Sequence, residues 1–187
     1  MSVILTILTI LSSFLTNLET KTLQSDFTVT VAEEVNAPMN YPGSIIMCGD
    51  KFRLEMFAIE AAYDGKTLYM YTADVDELTL SNPTQQELVE TNPLLYAKAL
   101  VNVCDITEKP ANDGQQTIIT LTPKDQSIGI NRFTLRVRND DLMPLSVEIK
   151  EGKKLSTLKL KEPKFVSGQQ EYIIVPDKDT YINDMRL

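Results

Sequence analysis

Histidine and tryptophan are absent from the 187 residues, and cysteine occurs only twice. Without histidine there is no Ser-His or Cys-His nucleophile pair, no His-ligated metal site and no commonest general base. Basic residues are also scarce: 18 Lys and Arg stand against 26 Asp and Glu, a net charge of −8. Such a chain has little with which to displace the counterions of a nucleic-acid backbone, so nucleic acid is excluded as a partner. Cys48 and Cys104 have no CxxC spacing and are too few for a disulfide scaffold. Either they form one bridge or they are two buried thiols behaving as small hydrophobes. Repeats of fixed period and low-complexity tracts are missing. What remains, 43% hydrophobic and 24% charged, is globular in composition. Its length suits a single domain over residues 1–187, burying roughly 70% of its unfolded surface.

Val3 to Leu15 is apolar, but no Lys or Arg precedes it and no small-x-small cleavage site follows it. It is also too short to span a bilayer. On a helix, Ile4, Ile7, Leu8, Leu11, Leu15 and Leu18 form one apolar stripe at spacings of three and four. The expectation is an amphipathic first helix from Val3 to Thr22, in a mature chain whose signal peptide is absent or removed.

Beyond it the period changes from 3.6 to 2. Phe27, Val29 and Val31 alternate with Asp26, Thr28 and Thr30, and Phe52, Leu54 and Met56 with Arg53 and Glu55. The same alternation runs through Phe133, Leu135 and Val137, and through Leu145, Val147 and Ile149. These are antiparallel strands with one buried and one solvated face. Turns at Pro42-Gly43, Asp64-Gly65, Asp113-Gly114, Asn139-Asp140-Asp141 and Glu151-Gly152 separate them. About ten or eleven strands of this kind curl into a barrel or a strongly bent sheet.

One stretch breaks the β pattern. Asn82 with Pro83 and Gln85, then Asn92 with Pro93, read as two helix starts, giving short helices over Pro83–Thr91 and Pro93–Asn102. The second carries Leu94, Leu95, Ala97, Ala99, Leu100 and Val101, and a helix that apolar must bury itself in the concave face of the sheet. Two readings stay open on pattern alone. The helices either fill the hollow as ordinary core, or form a lid over an apolar cavity.

Several segments point further. LQSDFTVTV (Leu23 to Val31) resembles the helix exit and first strand of the periplasmic outer-membrane lipoprotein carriers, the LolA-type family. YDGKTLYMYTADVDELTL (Tyr63 to Leu80) resembles the family's Asp-Gly-Lys-Thr-Leu hairpin and the strand after it. TIITLTPK (Thr117 to Lys124) and NRFTLRVRNDDLMPLSVEIKEGKKLSTLKLKE (Asn131 to Glu162) are similar to its C-terminal meander. YIIVPDKDTYINDMR (Tyr172 to Arg186) looks like its closing strand and tail. Five pieces in order cover the chain from about Ile10 to Arg186.

The resemblance implies a mainly β protein: an unclosed antiparallel barrel of about eleven strands under an α-helical lid, with residues 1–22 and 83–102 forming the lid. It implies a monomeric periplasmic chaperone in lipoprotein transport and outer-membrane biogenesis. Its partners would be acylated lipoproteins, an inner-membrane lipoprotein-releasing ABC transporter and an outer-membrane acceptor. No enzymatic activity and no cofactor are implied. The alternative is a related lipid-binding or envelope-stress-sensing domain of the same fold. Acyl chains are expected to contact Phe27, Val29, Phe52, Leu54, Met56, Phe133 and Leu135 on the sheet, Leu94, Leu95 and Leu100 on the lid, and Tyr69 and Tyr71 at the mouth. Replacing Leu95 with Glu is expected to block loading and leave the fold intact. One departure stands out. The family has an Arg in the turn before the Phe-containing strand that ties lid to barrel, whereas this turn reads Cys48-Gly49-Asp50-Lys51.

Other clusters have two readings each. Asp74, Asp76 and Glu77 lack the EF-hand pattern, so they are a solvated loop before they are a cation site. Tyr63, Tyr69, Tyr71 and Tyr96 either line a cavity mouth or are ordinary half-buried strand residues. Lys153, Lys154, Lys159 and Lys161 are an edge-strand face or a docking patch.

Overall fold

A computed structural model describes residues 2–34 and 36–186, with side chains described from Ile10 onward. Helix α1 (Ser2–Thr20) runs directly into strand β1 (Thr22–Ala32). The expected end at Thr22 is therefore two residues too long. Thr22 already pairs with Val166, and a β-branched residue suits that position. The side chains of Ile4, Ile7 and Leu8 lie outside the described residues. Of the stripe, Leu11 and Leu18 are buried and Leu15 only partly so, while Phe14, not expected there, is fully enclosed. No glycine or basic residue ends α1. The barrel does so instead: the backbone amide of Gly49 donates to the Leu18 carbonyl at 2.6 Å, serving one of the carbonyls a helix end leaves open.

Strands β2 (Met39–Cys48), β3 (Lys51–Met56), β4 (Ile59–Tyr63), β5 (Leu68–Thr72) and β6 (Glu77–Ser81) follow as a meander. A second meander holds β7 (Cys104–Pro110), β8 (Gln116–Pro123), β9 (Arg132–Arg138), β10 (Pro144–Glu151) and β11 (Lys154–Val166). Antiparallel pairing of β1 with β11 joins the two meanders, and the order is β12-β6-β5-β4-β3-β2-β1-β11-β10-β9-β8-β7. The sheet is thus mainly antiparallel and unclosed. The last member, β12 (Tyr181–Asp184), pairs with β6 in parallel, so the expectation of an all-antiparallel sheet fails at one short edge strand. Alternation also fails at Leu145, where the β9–β10 register shifts between Pro144 and Ser146. Pro144 cannot donate to a ladder, and a bulge accommodates it.

β6 lies beside one edge of the sheet and β7 is the other edge, so the segment joining them must cross the concave face. That segment holds α2 (Gln85–Thr91), a 3₁₀ turn (Pro93–Leu95) and α3 (Tyr96–Leu100). The first cap is not Asn82 with Gln85. Thr84 and Glu87 form the capping box: the Thr84 side chain accepts from the Glu87 amide, and the Glu87 carboxylate accepts from the Thr84 amide at 2.6 Å. A carboxylate three residues on reaches back where Gln85, one residue from Thr84, cannot. Asn92 does cap as expected, its side chain accepting from the Leu94 amide at 3.1 Å. The second helix is short, because the three residues opening with Pro93 wind as 3₁₀ and α3 stops at Leu100, ahead of Asn102.

Beneath these helices lies the main core, where Phe14, Phe52, Phe133, Leu121 and Leu135 are essentially inaccessible. A second, smaller core sits on the opposite face of the sheet, where Ile174 packs against Ala62, Leu78 and Leu80. Phe14→Ala should lower stability by about 3–5 kcal/mol, since the enclosed ring has no way to collapse its site; urea unfolding followed by circular dichroism measures this.

Candidate functional site

The concave face is filled unevenly. At one end α1 and α3 pack onto it. At the other, a cavity of about 590 Å³ opens between the sheet and the connection from α2 to α3. Its walls descend along four strands. From the rim inward they are Val31, Val29 and Phe27 on β1, Met56 and Leu54 on β3, Glu151 and Ile149 on β10, and Lys154, Ser156 and Leu158 on β11, with Ile45 of β2 between. The roof is Glu90, Thr91, Asn92, Pro93 and Tyr96. Period-2 alternation makes this wall apolar on β1 and β3, because the inward positions that line it there, Phe27, Val29, Val31, Leu54 and Met56, are hydrophobic. Among the described residues the lining charge is Glu90 in the roof and, at the rim, Lys154 and Glu151, which pair at 3.3 Å.

Four of the residues expected to contact acyl chains line this cavity: Phe27, Val29, Leu54 and Met56. Phe52, Phe133, Leu135, Leu94, Leu95 and Leu100 belong to the packed core at the filled end, each 4% exposed or less. Leu95→Glu therefore places a charge in a dry core and destabilises the fold, contrary to the sequence-based expectation. Tyr69 and Tyr71 stand on the other face of the sheet, partly buried against Leu78, Leu80 and Ile174. On β5, Leu68 and Met70 take the inward positions, so period 2 sends the tyrosines outward.

The remaining clusters divide similarly. Tyr96 is the tyrosine that reaches the cavity, its ring 6.1 Å from that of Phe133. Burial raises its phenol above the usual value, and the carboxylates of Glu151 and Glu90 add to this, so it stays a neutral donor. Tyr63 packs on Phe52 instead, with ring centroids 6.2 Å apart. Asp76 accepts from Tyr71 and Thr180, and Glu77 from Thr79 and Asn183, so these acids bind the C-terminal segment to the sheet. Among the described residues no group of three or more His, Cys, Asp and Glu side chains could hold a metal ion. Both cysteines are free thiols, so the one-bridge alternative is excluded. Lys153 pairs with Glu34 at 2.6 Å and Lys154 with Glu151 at the rim.

The lining residues not singled out beforehand fall into two groups. Val31 and Ile149 lie on alternating runs already recognised as inward-facing, and extending those runs to their ends would have found them. The roof residues Glu90 and Thr91 are ordinary polar residues at a helix end that nothing in the sequence marks, and Asn92 is marked there as a helix cap and not as cavity lining.

Residues 18–167 match the family described as outer membrane lipoprotein carrier protein LolA. The chain belongs to the LolA family. No curated protein matches its sequence. Among solved structures it is similar to an uncharacterized conserved protein from Thermus thermophilus, with 17% identity, a TM-score of 0.63 and coverage of 94% of this chain and 97% of that one. It is also similar to a LolA superfamily protein from Nitrosomonas europaea, with 11% identity, a TM-score of 0.44 and coverage of 87% and 94%. A third is the Mycobacterium tuberculosis lipoprotein LppX, with 12% identity, a TM-score of 0.47 and coverage of 89% and 96%. The Thermus likeness is one of fold. Among the described residues no helix is long and apolar enough to cross a membrane.

In this LolA-family chain an ion cluster joins lid to barrel, with its cation on the lid and not in the turn where the resemblance placed an Arg. Lys98 Nζ of α3 lies 2.6 Å from Glu19 Oε1 at the end of α1 and 2.8 Å from Asp50 Oδ1 in the β2–β3 turn. Burial opposes the ammonium charge, but the hydrogen bonds to Asp50 and Glu19 outweigh it and raise Lys98 above the ordinary lysine value.

Gly43 shapes the cavity wall. It pairs with Phe27 on one side and Met56 on the other, and a Cβ there would overlap both the Phe27 ring and the backbone oxygen of Glu55. Gly43→Ala should cost about 1–3 kcal/mol through overpacking, read as a lowered urea midpoint with an unchanged m-value.

Proposed function

We propose that this protein carries the acyl chains of lipoproteins through the periplasm, from an inner-membrane releasing transporter to an outer-membrane acceptor, without catalysing a reaction. The observation that carries the reading is the apolar cavity of about 590 Å³ lying under a short helical lid in a chain of the LolA family. A core that merely needed filling would leave no such space, since protein interiors are close-packed.

The energetics favour a carrier of this design. Each acyl methylene removed from water is worth about 0.8 kcal/mol, so a chain of about sixteen carbons costs roughly 12 kcal/mol to leave exposed. The wall supplies apolar contact and almost no polar anchors, so binding grows with the length buried and is undone stepwise as the chain is withdrawn. A roof of seven- and five-residue helices has little stability apart from what it packs against. Opening it therefore requires loss of packing at Leu88, Val89, Leu94, Leu95, Tyr96 and Leu100 and of the Lys98 cluster, and no refolding of the sheet.

The direct test is release of a triacylated lipoprotein from spheroplasts, together with solvent extraction and mass spectrometry of what copurifies. Acyl lipid in the extract and released lipoprotein in the supernatant are expected. Val29→Asp should abolish release with an unchanged circular dichroism spectrum, because Val29 is half-buried on the cavity wall and outside the packed end. Release by Val29→Asp at the wild-type level would refute the carrier reading.

Lys98 is the lid latch in this reading. Lys98→Ala should speed hydrogen exchange across residues 85–103 and change global stability by no more than about 1 kcal/mol, since nearly half of each ionic side chain is solvated. The pH dependence has a definite sign. Because the folded value is raised, the tie is complete below the ordinary lysine value and is lost as pH climbs through the raised one. Lid protection factors, taken relative to the intrinsic base-catalysed exchange rate, should therefore fall on the alkaline side, and Lys98→Ala should remove that fall.

A further inference from the structure

We propose that the closed cavity holds one acyl chain, inserted tail first from the end at Val31, and that Phe27 seated over Gly43 sets the length it accepts. This rests on the carrier reading and adds number and length to it.

Capacity is the first argument. A methylene fills about the same space as a liquid water, ~30 Å³. The cavity of about 590 Å³ then corresponds to roughly twenty methylenes. One chain of about sixteen carbons fits, and two of that length do not while the lid is in place. Direction is the second argument. Among the described residues the charged ones lining the cavity are Glu90, Glu151 and Lys154. Glu151 and Lys154 face each other across the hairpin at the β10–β11 end, which pairs alongside the Val31 end of β1. A polar head group can remain hydrated at this rim, while the sheet at the opposite end offers hydrocarbon, with Asn92 of the roof turned to Met47 Sδ at 3.6 Å as the polar neighbour. From Val31 to Phe27 the wall descends four residues, about 13 Å at the usual strand rise.

Phe27 closes the inner end. It is 2% exposed, the facing Leu160 lies in the packed core, and beyond Phe27 on β1 the buried positions continue through Ser25 to Leu23. Its ring occupies the place where the side chain of its cross-strand partner would be, and that partner is Gly43. The floor is therefore one aromatic ring lying over a residue without a side chain. Shortening Phe27 opens the Gly43 position and deepens the cavity there.

The test titrates the delipidated full chain with saturated fatty acids from decanoate to eicosanoate, by displacement of a dansyl-labelled fatty acid, with native mass spectrometry counting bound chains. Wild type should bind one chain per protein. Phe27→Leu should favour chains two methylenes longer by about tenfold relative to wild type, as newly buried methylenes supply. Val29→Phe narrows the cavity midway and should shift preference to shorter chains, so it tests the length gauge even if Phe27→Leu does not fold. Two or more chains per protein at saturation would overturn the single-chain proposal. A length profile unchanged in every variant that folds would overturn the gauge. Failure of wild type to bind any fatty acid, with no lipoprotein released from spheroplasts, would remove the carrier reading and this proposal together. Release of lipoprotein without binding of a lone fatty acid would remove this proposal only.

Discussion

A single crossing organises the molecule. Strand β6 lies beside one edge of the unclosed sheet and β7 forms the other, so the chain between them has to traverse the hollow. Its length is enough for two short helices and a 3₁₀ turn, and its apolar content forces them inward. Two caps shape the roof at this point. Thr84 with Glu87 starts α2, and Asn92 both ends α2 and starts the following turn. The sheet can curl around its apolar face only because something covers that face, and these helices cover it incompletely.

The incomplete cover divides the interior into two regions. Where α1 and α3 meet the sheet, Phe14, Phe133, Leu121 and Leu135 interlock with essentially no exposure, and any change of volume there is resisted. Where α2 turns into α3, the roof stands away from β1, β3 and β11 and the cavity remains. Lys98 sits at the junction of lid, first helix and β2–β3 turn, with Glu19 of α1 and Asp50 of the turn as its partners. A well-packed end holds the architecture while the other end is loosely roofed, a division of labour that the proposed carrier role requires.

Much of this was legible in the residue order. Alternation along β1, β3 and β9 identified the inward positions, and Phe27, Val29, Leu54 and Met56 were placed on the concave face by it alone. The same rule could not separate a cavity wall from a packed core. Phe52 and Leu54 have the same periodicity, yet only Leu54 lines the open space, because α1 and α3 cover one end of the strand and not the other. Tyr69 and Tyr71 show a related limit. Aromatic residues on an alternating strand looked suited to a cavity mouth, but Leu68 and Met70 hold the inward positions. The C-terminal segment around Ile174 gives the tyrosines cover on the outer face, through contacts more than a hundred residues apart in sequence. The cap on α2 was misplaced for a local reason: Asn82-Pro83 and Thr84 are both plausible starts, and the reach of the Glu87 carboxylate decides between them.

The sequence by itself determined the class of fold, the sidedness of the strands, the apolar crossing segment and the family, since each depends on local periodicity, turn chemistry or motif order. Tertiary structure alone decided how far the helices descend into the hollow, and so how much of it stays open. It also decided that Lys98 meets Glu19 and Asp50, that both thiols remain unpaired, and that β12 joins the sheet in parallel. These outcomes turn on distances between segments remote in the chain. No local pattern encodes such distances, because they are set by how every side chain in the interior competes for the same volume.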